Sequence, residues 1–77
     1  STMTLWELAK KQHATIEKFD PNLANGLKVR LSEMGFAEGE VLTCVKRSPF
    51  NGPIVIQVQD CVYSLDKQLA ENIFIHP

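Results

Sequence analysis

Cysteine is scarce in this chain. Cys44 and Cys61 are the two present in 77 residues, whereas small secreted scaffolds rely on two to four disulfides. No Cys-x-x-Cys pair occurs, so both thiols are expected to behave as small hydrophobes in a reducing compartment. Excess charge is missing too: 8 Lys and Arg face 9 Asp and Glu, for a net charge of −1. Phosphate neutralisation supplies essentially all non-specific nucleic-acid binding, which makes DNA and RNA poor candidates as partners. Long apolar runs are also absent. The longest aliphatic one is Ile54-Val55-Ile56, against the roughly 20 residues that a spanning helix needs. No direct membrane insertion is expected, and any membrane contact is expected to pass through another protein. The chain also falls short of the roughly 100–150 residues of a usual single core. That leaves room for one small domain, and none for an α/β barrel, a dinucleotide-binding fold or a kinase.

What is present is ordinary globular material. Hydrophobic residues make up 44% and charged residues 22%, which argues against disorder. No basic and apolar leader opens the sequence. Met3 reads as the native start behind a Ser1-Thr2 expression remnant, so one domain is expected over residues 4–77.

The pattern along the chain predicts short elements. Thr4 and Glu7 stand at capping-box spacing, and Leu5 and Leu8 share a face with Trp6 offset, which predicts a helical turn ending by Lys10-Lys11. Gln12 to Phe19 alternates, with Ala14, Ile16 and Lys18 on one face and His13, Thr15, Glu17 and Phe19 on the other; this is a strand pattern. Asp20-Pro21-Asn22 reads as a helix start, with Asp20 as cap and Pro21 in the first position. Asn25 is the alternative cap, because Gly26 weakens the first turn. Leu23, Leu27, Leu31 and Met34 form one helical stripe, expected to cover the core rather than to receive a partner. Gly35 is placed to end the helix in the left-handed conformation, with Phe36 folding back, and Gly39 to make a turn.

Strands follow at Glu40–Arg47, Pro53–Gln59 and Cys61–Leu65. The first has apolar residues on both faces and is expected to be central or strongly curved. Ser48 to Pro53 reads as a hairpin loop with Asn51-Gly52 as its turn, and Asp60 as a tight turn. Asp66 is expected to cap one helical turn over Lys67–Glu71, before a last strand at Ile73–Ile75. The fold class is therefore mainly β with one covering helix: a small, five-stranded, partly closed barrel whose first and last strands pair. Closure relieves the edge strands of an open sheet.

Four segments in order carry a resemblance to a known family. Leu31-Ser32-Glu33-Met34-Gly35-Phe36-Ala37-Glu38-Gly39 resembles the signature of the ferrous iron transport protein A (FeoA) family. Arg47-Ser48-Pro49-Phe50-Asn51-Gly52-Pro53-Ile54 resembles its basic-small-Pro loop leading into a Pro-Ile strand. Tyr63-Ser64-Leu65, followed by Leu69-Ala70-Glu71-Asn72-Ile73, is similar to its final segment, where Ala70 and Ile73 would close the barrel. Leu5-Trp6-Glu7-Leu8 is similar to its N-terminal turn. The sequence departs from the family at Asp66, often basic there, and at Asp60, often Gly.

The resemblance implies an SH3-like barrel. It implies a non-enzymatic, cytoplasmic accessory protein of bacterial ferrous iron uptake. The implied partner is the membrane permease FeoB with its GTPase domain, which would hold the chain at the inner face of the membrane. It implies no cofactor and no iron site of the chain's own, and it is compatible with weak self-association. Two other readings belong to small barrels: a metal-responsive sensing module like those appended to iron-dependent repressors, and an RNA-binding barrel.

The residues themselves offer little chemistry. His13, His76, Cys44 and Cys61 are the borderline-soft ligands, and their spacings match no metal motif. No nucleophile–base pattern, phosphate-cradling glycine loop or spaced carboxylate pair is present. Partner contact has better candidates. Phe50 stands near the tip of a polar loop, where it either packs back onto the barrel or anchors an interface. Lys46 and Arg47 beside it are solvated or meet an acidic partner. Trp6 covers an open barrel end or presents its amphipathic ring to a partner.

Overall fold

The computed structural model describes residues 3–77; the reading of Ser1-Thr2 as a remnant lies outside the described residues. Six strands form one antiparallel sheet: β1 (Met3–Thr4), β2 (His13–Phe19), β3 (Val41–Arg47), β4 (Ile54–Val58), β5 (Cys61–Leu65) and β6 (Ile73–His76). They are ordered β1-β6-β2-β3-β4-β5. The 3₁₀ turn η1 spans Leu5–Glu7, helix α1 Asn25–Met34 and helix α2 Lys67–Ala70. The expected pairing of the first long strand with the last is present as β2 on β6. The sixth strand, β1, is two residues that pair with Ile75 and Phe74; two residues are too few to show a period.

The sheet curls because two bulges bend it. On β2, Ile16 and Lys18 face Ile75 and Phe74, so Glu17 is an extra residue. On β3, Cys44 and Lys46 face Ile56 and Val55, so Val45 is extra. A bulge bends its strand and increases the twist. It also shifts the alternation, which is why Lys18 is exposed instead of sharing the buried face of Ala14 and Ile16. β3 is a central strand, as its two-faced pattern predicted. The sheet's two edges come together through η1, which follows β1, and α2, which follows β5; the two turns pack on each other.

One core fills the interior. Leu5, Leu8, Phe36, Ile54, Ile56, Ile73 and Ile75 are fully buried. No polar or charged side chain is buried among the described residues. No helix among them is long and apolar enough to cross a membrane.

Helix α1 differs from the expectation at its start. Pro21 and Asn22 form a turn, and the helix begins at Asn25 with Ala24 before it. Asp20 explains this. Its Oδ1 accepts from Asn22 N–H at 2.8 Å and its carbonyl from Leu23 N–H at 3.0 Å. That Asx turn competes with the helix for the same backbone. Asn25 is the first helical residue and not the cap. The stripe is also only half used: Leu31 is buried, Met34 partly so, and Leu23 is buried in the turn ahead of the helix. Leu27 is 40% exposed and Val29 58%.

The helix end follows the expectation. Gly35 has φ 107°, and its N–H donates to the Leu31 and Ser32 carbonyls. Phe36 N–H also reaches the Leu31 carbonyl at 2.9 Å, which drops the ring into the core. Gly39 takes φ 86° in the next turn, where its N–H binds the Ile16 carbonyl at 2.9 Å. Ala70 and Ile73 are both fully buried at the join between α2 and β6.

Candidate functional site

The described chain converges on one end of the barrel. Ile54 pairs with both Arg47 and Leu65, so the β3–β4 loop and the start of α2 leave the same row of the sheet. η1 lies against that row. Its capping geometry starts as predicted, with Thr4 N–H donating to the Glu7 carboxylate at 2.6 Å. Asp66 caps α2, accepting from Leu69 N–H at 2.7 Å.

Arg47 ties these parts together. Its Nη1 donates to the Trp6 carbonyl and, at 3.0 Å, to the Leu8 carbonyl. Its guanidinium stacks 4.5 Å from the centre of the Trp6 ring, and Lys67 Nζ lies 5.7 Å from the same ring. Charge-assisted bonds to two carbonyls, plus the stack, fix the planar fork in place. Arg47 is therefore engaged inside the protein, while Lys46 next to it is exposed. Trp6 is half-buried: it closes the barrel end and shows part of its ring.

Phe50 is fully exposed, at 100%. The Pro49 carbonyl accepts from Gly52 N–H at 3.0 Å, so Phe50 and Asn51 are the two central residues of the turn. Both have positive φ, 56° and 59°. Asn51-Gly52 was the expected turn pair; the structure moves it back by one. Positive φ at both central residues is the mark of a type I′ turn. Glycine is excluded from neither site, yet an aromatic residue occupies the first. The β4–β5 turn shows a similar shift: the left-handed residue is Gln59, with φ 55°, and not Asp60.

The thiols and histidines make separate local contacts. Cys44 is buried inside and its Sγ lies 3.7 Å from the Lys46 carbonyl; burial pushes the thiol above its usual pKa. Cys61 is exposed on the edge strand. His13 Nδ1 is 2.8 Å from Thr43 Oγ1, and His76 faces Thr15 on the neighbouring strand. Among the described residues no three His, Cys, Asp or Glu side chains group to hold a metal ion.

The FeoA domain model matches residues 3–77. The chain belongs to the FeoA family. This places it among the accessory factors of ferrous iron transport and makes its sheet an SH3-like fold. The crystal structure of an iron uptake regulatory protein (FeoA) superposes with a TM-score of 0.85 at 20% identity, covering 99% of this chain and 97% of that one. The zinc complex of Stenotrophomonas maltophilia FeoA, described as a procaryotic SH3 domain protein, gives 0.81 at 29% identity, over 95% of this chain and 88% of that one. A manganese-dependent transcriptional repressor gives 0.84 at 16% identity, over 97% of this chain and 41% of the repressor. That last likeness is one of fold alone. No curated protein matches the chain.

Sequence reasoning named Trp6, Lys46, Arg47 and Phe50, and the structure brings all four to one end. It missed Lys67, whose partner Trp6 lies at the opposite end of the sequence. It also missed that Arg47 is tied to backbone, because carbonyl acceptors leave no mark on a sequence.

Proposed function

We propose that this FeoA-family chain is a non-enzymatic docking module that binds the permease FeoB from the cytoplasmic side and regulates it. The observation that carries this reading is Phe50, a fully exposed aromatic held in a left-handed turn. Such a residue gives nothing to the core and strains its backbone, and strained, exposed residues concentrate at functional sites. Aromatic side chains are also enriched among the residues that dominate binding energy. Trp6 and Lys46 flank the contact, and Arg47 holds the Trp6 ring in position.

Support also comes from what the barrel offers for chemistry. Its interior is apolar throughout the described residues, whereas catalysis needs titratable groups in a shaped, water-excluding pocket. The near-balanced charge speaks against the RNA-binding reading.

The test is a titration of the intact permease in nanodiscs with the full chain, in the GTP-analogue, GDP and nucleotide-free states. Saturable binding in at least one state is expected. Absence of binding in all three refutes the reading.

A further inference from the structure

The end of the barrel that carries Phe50 gathers more positive charge than the sequence assigned to it. Lys67 lies over the Trp6 ring and Lys46 is exposed beside Arg47. Lys10 lines the same shallow groove as Trp6 and Arg47. Glu7, which lines the same groove, and Asp66 keep their charge while capping η1 and α2, so Lys10, Lys46, Arg47 and Lys67 outnumber these two carboxylates at this end. Other acidic residues lie away from this end. Glu38 and Glu40 flank the Gly39 turn, and Gln59, beside Asp60, reaches Glu40 with its Nε2 at 3.4 Å. The net charge of −1 therefore conceals a local excess of cations at this end.

We propose that this end is a two-part docking site for an acidic protein segment: Phe50 enters an apolar socket, and Lys10, Lys46 and Lys67 meet carboxylates around it. The proposal rests on the docking reading above and adds the partner's chemistry and two cations. Charge complementarity selects the acidic partner, because complementary potentials steer encounter and fix register. The single protruding aromatic selects a protein over a bilayer. A lipid surface rewards total apolar area, and stable anchoring takes two signals; here one fully exposed ring, Phe50, is presented on a tight turn, with Trp6 half-buried. The two parts differ in their physics. A desolvated ring acts mainly on dissociation and is insensitive to salt. Exposed lysines act through a field that salt screens over about 10 Å. Arg47 is a positioning residue, since it acts through Trp6.

The experiment uses the full chain and the intact permease in nanodiscs, at low and high salt. Phe50→Ala is expected to weaken binding by about 30-fold at both salts. The double variant Lys46→Gln/Lys67→Gln is expected to weaken it by about 10-fold at low salt and to flatten the salt dependence. Lys18→Gln/Lys28→Gln, which removes equal charge elsewhere, is expected to bind as the native chain does. Native affinity in both Phe50→Ala and Lys46→Gln/Lys67→Gln overturns the site and leaves the docking reading standing.

If the native chain does not bind the permease, the docking reading fails and the site is judged on a second probe. That probe is a Glu-rich peptide with a central Leu-Leu pair, followed by Trp6 fluorescence and backbone amide shifts. Shifts confined to residues 46–52, 6 and 67 sustain the site; shifts elsewhere, or none, overturn it. Sedimentation with phosphatidylglycerol vesicles that Phe50→Ala abolishes overturns the choice of a protein partner in favour of a lipid surface.

Discussion

Replacing Phe50 with Gly should make the protein more stable while removing its proposed anchor. The ring is fully exposed, so its loss forfeits no burial. The backbone at this position has φ 56°. An L-residue in the left-handed region bears a cost of roughly 1–2 kcal/mol that glycine does not. Glycine in turn loses more conformational entropy on folding, by roughly 0.5–1 kcal/mol. The balance favours Phe50→Gly by about 0.5–1 kcal/mol. In a domain of this size each kcal/mol moves the midpoint by about 4–8 °C, so a rise of about 2–8 °C is expected. Phe50→Ala keeps the backbone cost and loses only the ring, so it should stay within about 0.5 kcal/mol of the native chain. Urea unfolding with unchanged slope, alongside thermal unfolding, reads both values. Phe50→Gly destabilised by about 1 kcal/mol or more would refute the reasoning, because it would mean that the ring packs on the barrel.

Further outcomes follow from other residues. Arg47→Met leaves the Trp6 and Leu8 carbonyls without their charged donor and should cost about 1.5–3 kcal/mol in urea unfolding. Arg47→Lys should recover little, since an ammonium cannot reproduce the fork. Gly35→Ala puts a side chain where φ is 107° and 3.3 Å from Gln59, and should cost about 1–3 kcal/mol. Ala70→Leu overfills a fully buried position and should cost about 1–3 kcal/mol by the same assay. Burial raises the Cys44 thiol pKa from 9.0, so as pH climbs past that value the unfolded thiol ionises first and stability falls. Cys44→Val should lack this alkaline decline. Iodoacetamide should label Cys61 in the native protein and Cys44 only on unfolding, as counted by mass spectrometry.

The strands from Gln12 onward were legible from period-two alternation in Gln12–Phe19 and Pro53–Gln59, and elsewhere from short apolar or β-branched runs bounded by Pro, Gly, Asn or Asp. Three features were not, each for a physical reason. The bulges at Glu17 and Val45 insert one residue without changing residue type, so the written pattern continues while the faces change. The Asx turn at Asp20 and a helix cap use the same side-chain chemistry, and only the competing backbone bond to Leu23 decides between them. The Phe50 turn moved one residue back from Asn51-Gly52 because hairpin register, set by Arg47 on Ile54, outranks local turn preference. For the site, exposure of Phe50 was one of two readings that the sequence left open. Its four candidate residues fell at one end because three of them follow one another through a single strand and loop. Lys67 could be found only through the meeting of η1 and α2.

The pairing of β1 with β6 has a consequence for how such a barrel combines with other chains. Met3 lies opposite Ile75, so the polypeptide enters and leaves the fold at one place. A unit with adjacent ends can be spliced into a longer polypeptide, or circularly permuted, with little disturbance to either part. A short loop joining the ends, with new termini opened in an exposed turn remote from Phe50, should give a permuted barrel that folds.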